Sequence, residues 1–163
     1  FESFPSFESK SITRMPSLLA MATLVSYREL TITNGITCLH LNSSSCFYLL
    51  NPQENLDRTQ KYFETIFLNV PSWNGIISRI PLEDECLNAL QNHDLFVYCG
   101  HGNGKEYLKS DFIRKLDCSA VVILMGCHSA KFYKYDFADP MGNVFYYLLS
   151  GCPSVVANLW GVT

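Results

Sequence analysis

From residue 46 onward, short apolar runs alternate with segments whose apolar residues recur every three or four positions, the pattern of a parallel α/β sheet. CFYLL at 46–50 predicts the first clear strand, GIISRI at 75–80 the second, LFVYC at 95–99 the third and SVVANLW at 154–160 the last. AVVILM at 120–125 is the most continuously apolar run, which places it in the middle of the sheet, where both faces are covered. Between the strands, Leu56, Phe63, Ile66 and Phe67 share one helical face, with Asn55 as cap and Asp57 in the first turn. Leu82, Cys86, Ala89 and Leu90 share another after Pro81, and YLKSDFIRKL supplies a short crossover. Met141, Val144, Phe145, Leu148 and Leu149 mark a final helix, with Pro140 near its start and Gly151 as its left-handed terminator. The first 40 residues are less regular: SLLAMATLVSY at 17–27 predicts a helix packed on the sheet, and TITNGITCLHL a turn entering a strand. Neither a repeat nor a linker divides the chain, so residues 1–163 read as one domain.

Two of these strands break off into unusual loops, GHGNG at 100–104 and GCHSA at 126–130. In an open parallel sheet, the loops leaving the C-terminal strand ends gather on one edge, where ligands bind. Neighbouring strands lie about 4.8 Å apart, so His101 from one loop and Cys127 from the next are expected to reach the same substrate atom. A thiol is a strong nucleophile only as thiolate, and a nearby imidazole can take its proton and later hand it to a leaving amine. The glycines fit the same chemistry, because backbone N–H groups must approach the oxyanion of an acyl intermediate closely. The N–H groups of Gly102 and Cys127 are the candidates for that role.

Cys99, His101, Cys127 and His128 are all competent zinc ligands, but their spacing resembles no structural zinc knuckle, and no metal or cofactor is expected. GHGNG also lacks the pattern of a phosphate-cradling loop. Cys38, Cys46, Cys86, Cys118 and Cys152 read as small buried hydrophobes, and His40, His93 and His128 as ordinary surface or hydrogen-bonded histidines.

At 48% apolar, 163 residues can bury a substantial core. A net charge of −3, with Lys and Arg scattered, gives no electrostatic footprint for direct binding of nucleic acid or membrane. Seven cysteines without paired spacing or a secretory leader point to a reducing compartment, and no apolar run approaches the roughly 20 residues of a membrane helix. The start at Phe1 and the stop at Thr163, directly after an apolar run, lead us to expect a fragment whose C-terminal part is missing.

The chain resembles the separases, caspase-like cysteine endopeptidases of clan CD. FPSFESKSITRMPSL is similar to the family's entry segment, FYLLNPQENLDRTQ to its first strand and helix, HDLFVYCGHGNG to its histidine motif and LMGCHSA to its cysteine motif. GCPSVVANLWGVT is similar to its Gly-Cys-Pro and Asn-Leu-Trp signature, which makes the match specific. The resemblance implies a three-layer α/β/α sandwich with a mostly parallel central sheet. It implies cleavage of the cohesin kleisin subunit after arginine at Glu-x-x-Arg sites, releasing sister chromatids at anaphase. It makes His101 the general base and Cys127 the nucleophile, and it places Gly126, Asn158, Leu159 and Trp160 along the substrate groove. A securin-type inhibitor and a helical scaffold, on the same or a separate chain, are the implied partners. The implied location is the cytoplasm, with action on chromosomes in the nucleus and on centrosomes in mitosis.

Two positions depart from the family pattern: Gly161, where an acidic residue is usual, and His128, where a serine is usual. The acids that would pair with a substrate arginine are expected just beyond Thr163; Asp139 is the one nearby acid that can substitute for them in the substrate groove, and an Asp before Pro140 reads equally as a helix cap. A non-catalytic docking module that binds a partner strand along its edge, and another caspase-like peptidase, are the alternative readings.

Overall fold

The computed structural model describes residues 17–27, 31–33, 36–38, 40–135 and 138–162, so most of the entry segment lies outside the described residues. The elements are α1 (Leu18–Tyr27), β1 (Thr31–Thr33), β2 (Ile36–Cys38), β3 (Cys46–Leu50), α2 (Asp57–Leu68), β4 (Asn74–Ile77), α3 (Glu83–Asn92), β5 (Leu95–Cys99), α4 (Ser110–Ile113), β6 (Val121–Leu124), β7 (Phe132–Tyr135), β8 (Ala138–Gly142), α5 (Asn143–Leu149) and β9 (Val155–Ala157). Five strands form one wholly parallel sheet in the order β4-β3-β5-β6-β9. The pairs β1–β2 and β7–β8 are separate antiparallel ribbons.

Alternation along the strands explains why this sheet is covered on both sides. Leu49, Phe96, Tyr98, Val122 and Leu124 face one core, shared with Cys86, Ala89 and Leu90 of α3, Ile113 of α4 and Tyr147 of α5. Cys46, Tyr48, Leu50, Val97 and Cys99 face the other, shared with Phe67 of α2, Phe63 and Trp73. The three inner strands β3, β5 and β6 are therefore apolar at every position, because helices cover the sheet on both faces there. Phe67 anchors the second core: its ring stands 4.7 Å from that of Tyr48 and 5.5 Å from Trp73. Burial of such a side chain contributes about 1.5–3 kcal/mol. The result is the α/β sandwich that the apolar pattern and the resemblance both imply.

The structure corrects several details. The centre of the sheet is β5, not the 120–125 run, because β5 alone pairs with both β3 and β6 while β6 lies one place further out, next to the three-residue β9. β4 stops at Ile77, because Ser78 turns left-handed (φ 51°) and donates its amide to Leu50 O at 3.1 Å. Asn55 does not cap α2: Leu56 is the N-cap, with no side-chain cap bond, and the buried Asn51 side chain instead holds the chain entering the helix, its Oδ1 accepting the amides of Asn55 and Leu56 at 3.0 Å each. Ile66 and Leu82 are exposed, the first at the edge of its helical stripe and the second at the N-cap of α3.

α5 begins only at Asn143, because the chain before it continues as β8, where Gly142 pairs with Phe132. That delay turns Tyr147 into the core and leaves Leu149 exposed. Gly151 does terminate the helix left-handed (φ 92°). α1 forms as predicted, with Leu18, Leu19, Met21 and Val25 exposed rather than packed. The segment read as one turn entering a strand is two short strands, with Asn34 and Gly35 outside the described residues. No helix among the described residues is long and apolar enough to cross a membrane.

Candidate active site

β5 delivers the histidine loop. Beyond Cys99, the amide of Asn51 donates to the Cys99 carbonyl at 2.7 Å, extending the β3–β5 pairing by one bond. The next residues leave the sheet, and Gly102 adopts a left-handed conformation (φ 59°) that a side chain would oppose. His101 is exposed at the top of this loop, and its carbonyl accepts the Tyr98 hydroxyl at 2.5 Å.

β6 delivers the cysteine loop beside it. The amide of Met125 donates to Tyr98 O at 2.8 Å, so the two chains remain paired up to Gly126. Gly126 is buried, and a Cβ there would lie 1.8 Å from the Gly102 carbonyl oxygen and 2.7 Å from that of Gly100. Only a glycine lets the two loops approach this closely. They meet, as the strand order requires.

The cysteine loop is also stitched to the residues that follow β9. Ser129, fully buried, donates to Leu124 O at 2.8 Å and accepts the Asn158 amide at 2.9 Å. Ala130 donates to Asn158 O and His128 to Trp160 O, both at 2.9 Å, and Asn158 Nδ2 donates to Gly126 O at 3.3 Å. Cys127 Sγ closes the series, accepting the Val162 amide and donating to the Val162 carbonyl at 3.3 Å each. His128 holds an uncommon left-handed conformation (φ 56°) within this stitched segment.

The half-buried Cys127 lines a cavity of about 330 Å³ together with Gly102, Asn103, His128, Lys131 and Tyr133. His101 lines an adjoining cavity of about 210 Å³ that includes Gln53, Tyr98 and Glu106. The two share Gly102 and Asn103 as a common wall. The predicted pair thus occupies neighbouring hollows on one sheet edge, an arrangement in which an imidazole and a thiol can serve the same bound chain.

Of the other predicted residues, Trp160 is 74% exposed, so its indole is free surface rather than core. Leu159 is half-buried, and the Asn158 side chain is turned inward onto Gly126. Asp139 stands in β8 and is not the cap of α5, a position held by Gly142; its side chain lies outside the described residues. The two departures from the family pattern are neighbours, since a Cβ on Gly161 would lie 3.5 Å from His128 Cε1. A side chain at Gly161 would start in ordinary van der Waals contact with that imidazole. His128, read from sequence as an ordinary histidine, lies in the Cys127 cavity.

Sequence reasoning missed Lys131 and Tyr133, because the β7–β8 ribbon that carries them or follows them was not recognised in KFYKYDFADP. It also missed Ser129, for which the small polar residue directly after Cys-His was the available signal. Burial pushes the Cys99 thiol up to about 11, and those of Cys46 and Cys86 up to about 12. They therefore remain protonated, apolar fillers. Among the described residues, no three His, Cys, Asp or Glu side chains gather in a way that could hold a metal ion.

Residues 1–163 match the family model for the separin protease domain. The chain belongs to the separin protease-domain family. It is 32% identical to the separin of Mus musculus over 163 residues, 36% to that of Schizosaccharomyces pombe over 163, and 37% to that of Saccharomyces cerevisiae over 157. It spans less than a tenth of each of these separins, 8 to 9% of their lengths. It also superposes on the separase chain in a crystal structure of the Saccharomyces cerevisiae separase–securin complex with a TM-score of 0.88 and 35% identity, covering 99% of this chain and 11% of that one. A second crystal structure of that complex gives a TM-score of 0.86. The caspase-like α/β fold of the separin family is thus the fold of this chain.

Proposed function

We propose that these residues are the proteolytic core of a cysteine endopeptidase that cleaves the cohesin kleisin subunit after arginine at Glu-x-x-Arg sites. The observation that carries this reading is the contact of Gly126 with the Gly102 carbonyl, which sets the Cys127 and His101 loops side by side in a chain of the separin family. Cys127 attacks the scissile carbonyl as thiolate, its proton having passed to His101. His101 then protonates the departing amine, and in the second half of the cycle takes a proton from the water that hydrolyses the thioester. The N–H groups of Gly102 and Cys127 receive the oxyanion in both halves.

The substrate runs in extended form past Asn158, Leu159 and the exposed Trp160, the residues that follow β9. A securin-type inhibitor occupies the same groove, in keeping with the complexes in which the yeast relative crystallised. A helical scaffold outside these residues supports the domain, and the site of action is the mitotic chromosome and centrosome.

The test is cleavage of a Glu-x-x-Arg peptide by the intact protein freed of inhibitor, compared with Cys127→Ser and His101→Ala. Cleavage after arginine that disappears in both variants, with the fold retained, is the expected result. Undiminished cleavage in either variant overturns the assignment.

A further inference from the structure

We propose that Tyr98 is the positioning residue that sets His101 against Cys127, joining the two loops through one side chain and one carbonyl. The proposal rests on the protease reading and adds to it the element that holds its two reacting groups in register.

Tyr98 is the fourth residue of β5 and 1% exposed. Its carbonyl accepts the Met125 amide at 2.8 Å, two residues before Cys127. Its hydroxyl donates to the His101 carbonyl at 2.5 Å. A single residue is thus bonded to both loops, at the root of one and the crest of the other.

The ring is as constrained as the hydroxyl. A Cβ on Gly100 would fall 2.5 Å from the Tyr98 oxygen, and one on Gly104 would fall 3.3 Å from the ring edge. The histidine loop therefore wraps around the phenol, and both of those glycines are fitted to its faces. Tyr98 also borders the cavity that His101 lines.

Packing alone does not explain a tyrosine here. Phe96, two residues earlier on the same face of the same strand, fills the same core with no hydroxyl. A buried hydroxyl without a partner is costly, so its presence needs a partner, and the partner it has is the His101 carbonyl. Burial raises the phenol above its ordinary range, so it stays a donor throughout the pH range of thiol chemistry. Without that bond, the crest of the loop is free to shift while the strand beneath it stays in place, because Asn51 still holds the Cys99 carbonyl.

Tyr98→Phe keeps the ring under Gly100 and Gly104 and removes only the hydroxyl. In the intact protein freed of inhibitor, kcat for an arginine peptide should fall about 10- to 100-fold while KM stays within about twofold, since misplacement of a reacting group costs rate rather than binding. The pH profile of Cys127 alkylation by iodoacetamide should shift in the same variant, a change that lost stability by itself does not produce. If the parent cleaves and Tyr98→Phe cleaves equally well, the positioning role is overturned and the protease reading stands. If the parent does not cleave, the protease reading fails, and the alkylation profile decides: a shifted profile supports the coupling of the two loops, and an unchanged one overturns it.

Discussion

Asn158 passes its amide hydrogen to the buried hydroxyl of Ser129 at 2.9 Å, joining the chain after β9 to the loop that carries Cys127. Ser129→Ala leaves that amide and the Leu124 carbonyl without this partner inside the protein. The expected cost is about 1–3 kcal/mol in urea denaturation, with a fall in kcat/KM for an arginine peptide larger than the lost stability accounts for. An alanine variant with parental stability and rate would show that the stitching is incidental.

Gly126 and Gly102 are both glycines, for different reasons, and their alanine variants should differ. Gly126→Ala drives a methyl to 1.8 Å from the Gly102 carbonyl oxygen, so the loops must part and cleavage should fall by about 100-fold or more. At Gly102 nothing lies within 4 Å of an added Cβ, and only the left-handed backbone resists it, at about 1–2 kcal/mol. Equal activity losses in the two variants would contradict this distinction.

Asn51 uses its whole side chain. Its Oδ1 accepts the Asn55 and Leu56 amides at the entry to α2 and its Nδ2 donates to Gln60 Oε1 at 2.7 Å, while its backbone is held left-handed (φ 49°). Asn51→Ala should cost about 2–3 kcal/mol by thermal or urea unfolding, because it removes the side-chain bonds to Asn55, Leu56 and Gln60 and places a residue with no polar side chain in that conformation. Asn55→Ala, the cap suggested by sequence alone, should cost under about 0.5 kcal/mol.

Thiol labelling should separate the cysteines sharply. Iodoacetamide at neutral pH should modify Cys127, half-exposed in its cavity, well before Cys46, Cys86 and Cys99. Those three thiolates form only as pH approaches about 11 to 12, or once the fold opens. Mass spectrometry showing uniform labelling of native protein would rule this out.

Away from the site, Arg79 grips Glu85 with bonds of 2.6 and 2.8 Å, and this holds the Glu85 carboxyl down at about 2. A carboxylate depressed on folding stabilises the native state above its unfolded pKa of about 4.3, and the gain is lost as pH falls toward the folded value. The difference in urea midpoint between the parent and Glu85→Gln should therefore be constant above about pH 5 and shrink toward pH 2. It should be small throughout, because the pair is solvent-exposed. A difference that grows on acidification would reverse the assignment.

What could be read from the sequence followed burial. β3 and β5 were located to the residue, because strands covered on both faces are apolar throughout and the apolar run breaks at Asn51 and at Gly100. His101 and Cys127 were visible for the same reason, as polar interruptions at the ends of such runs. The hydrophobic pattern fails where a backbone conformation decides instead. Ser78 ends β4 by turning left-handed, and the entry to α2 is held by the left-handed Asn51 rather than by a cap at Asn55. The β7–β8 ribbon was missed because two strands outside the main sheet, with Phe132 and Tyr133 both exposed, carry no core signal. Trp160 would pass for core on apolarity alone, and only the family resemblance placed it on the surface.

The stitching of Cys127 to residues 158–162 sets an order of events during synthesis. A growing chain that has reached Tyr135 already contains both signature loops and the strands beneath them. It still lacks Asn158, Trp160 and Val162, whose bonds shape the thiol loop. The nascent domain therefore carries its cysteine for some 25 residues of elongation without the clasp on its loop, which forms only once the residues that follow β9 have been made.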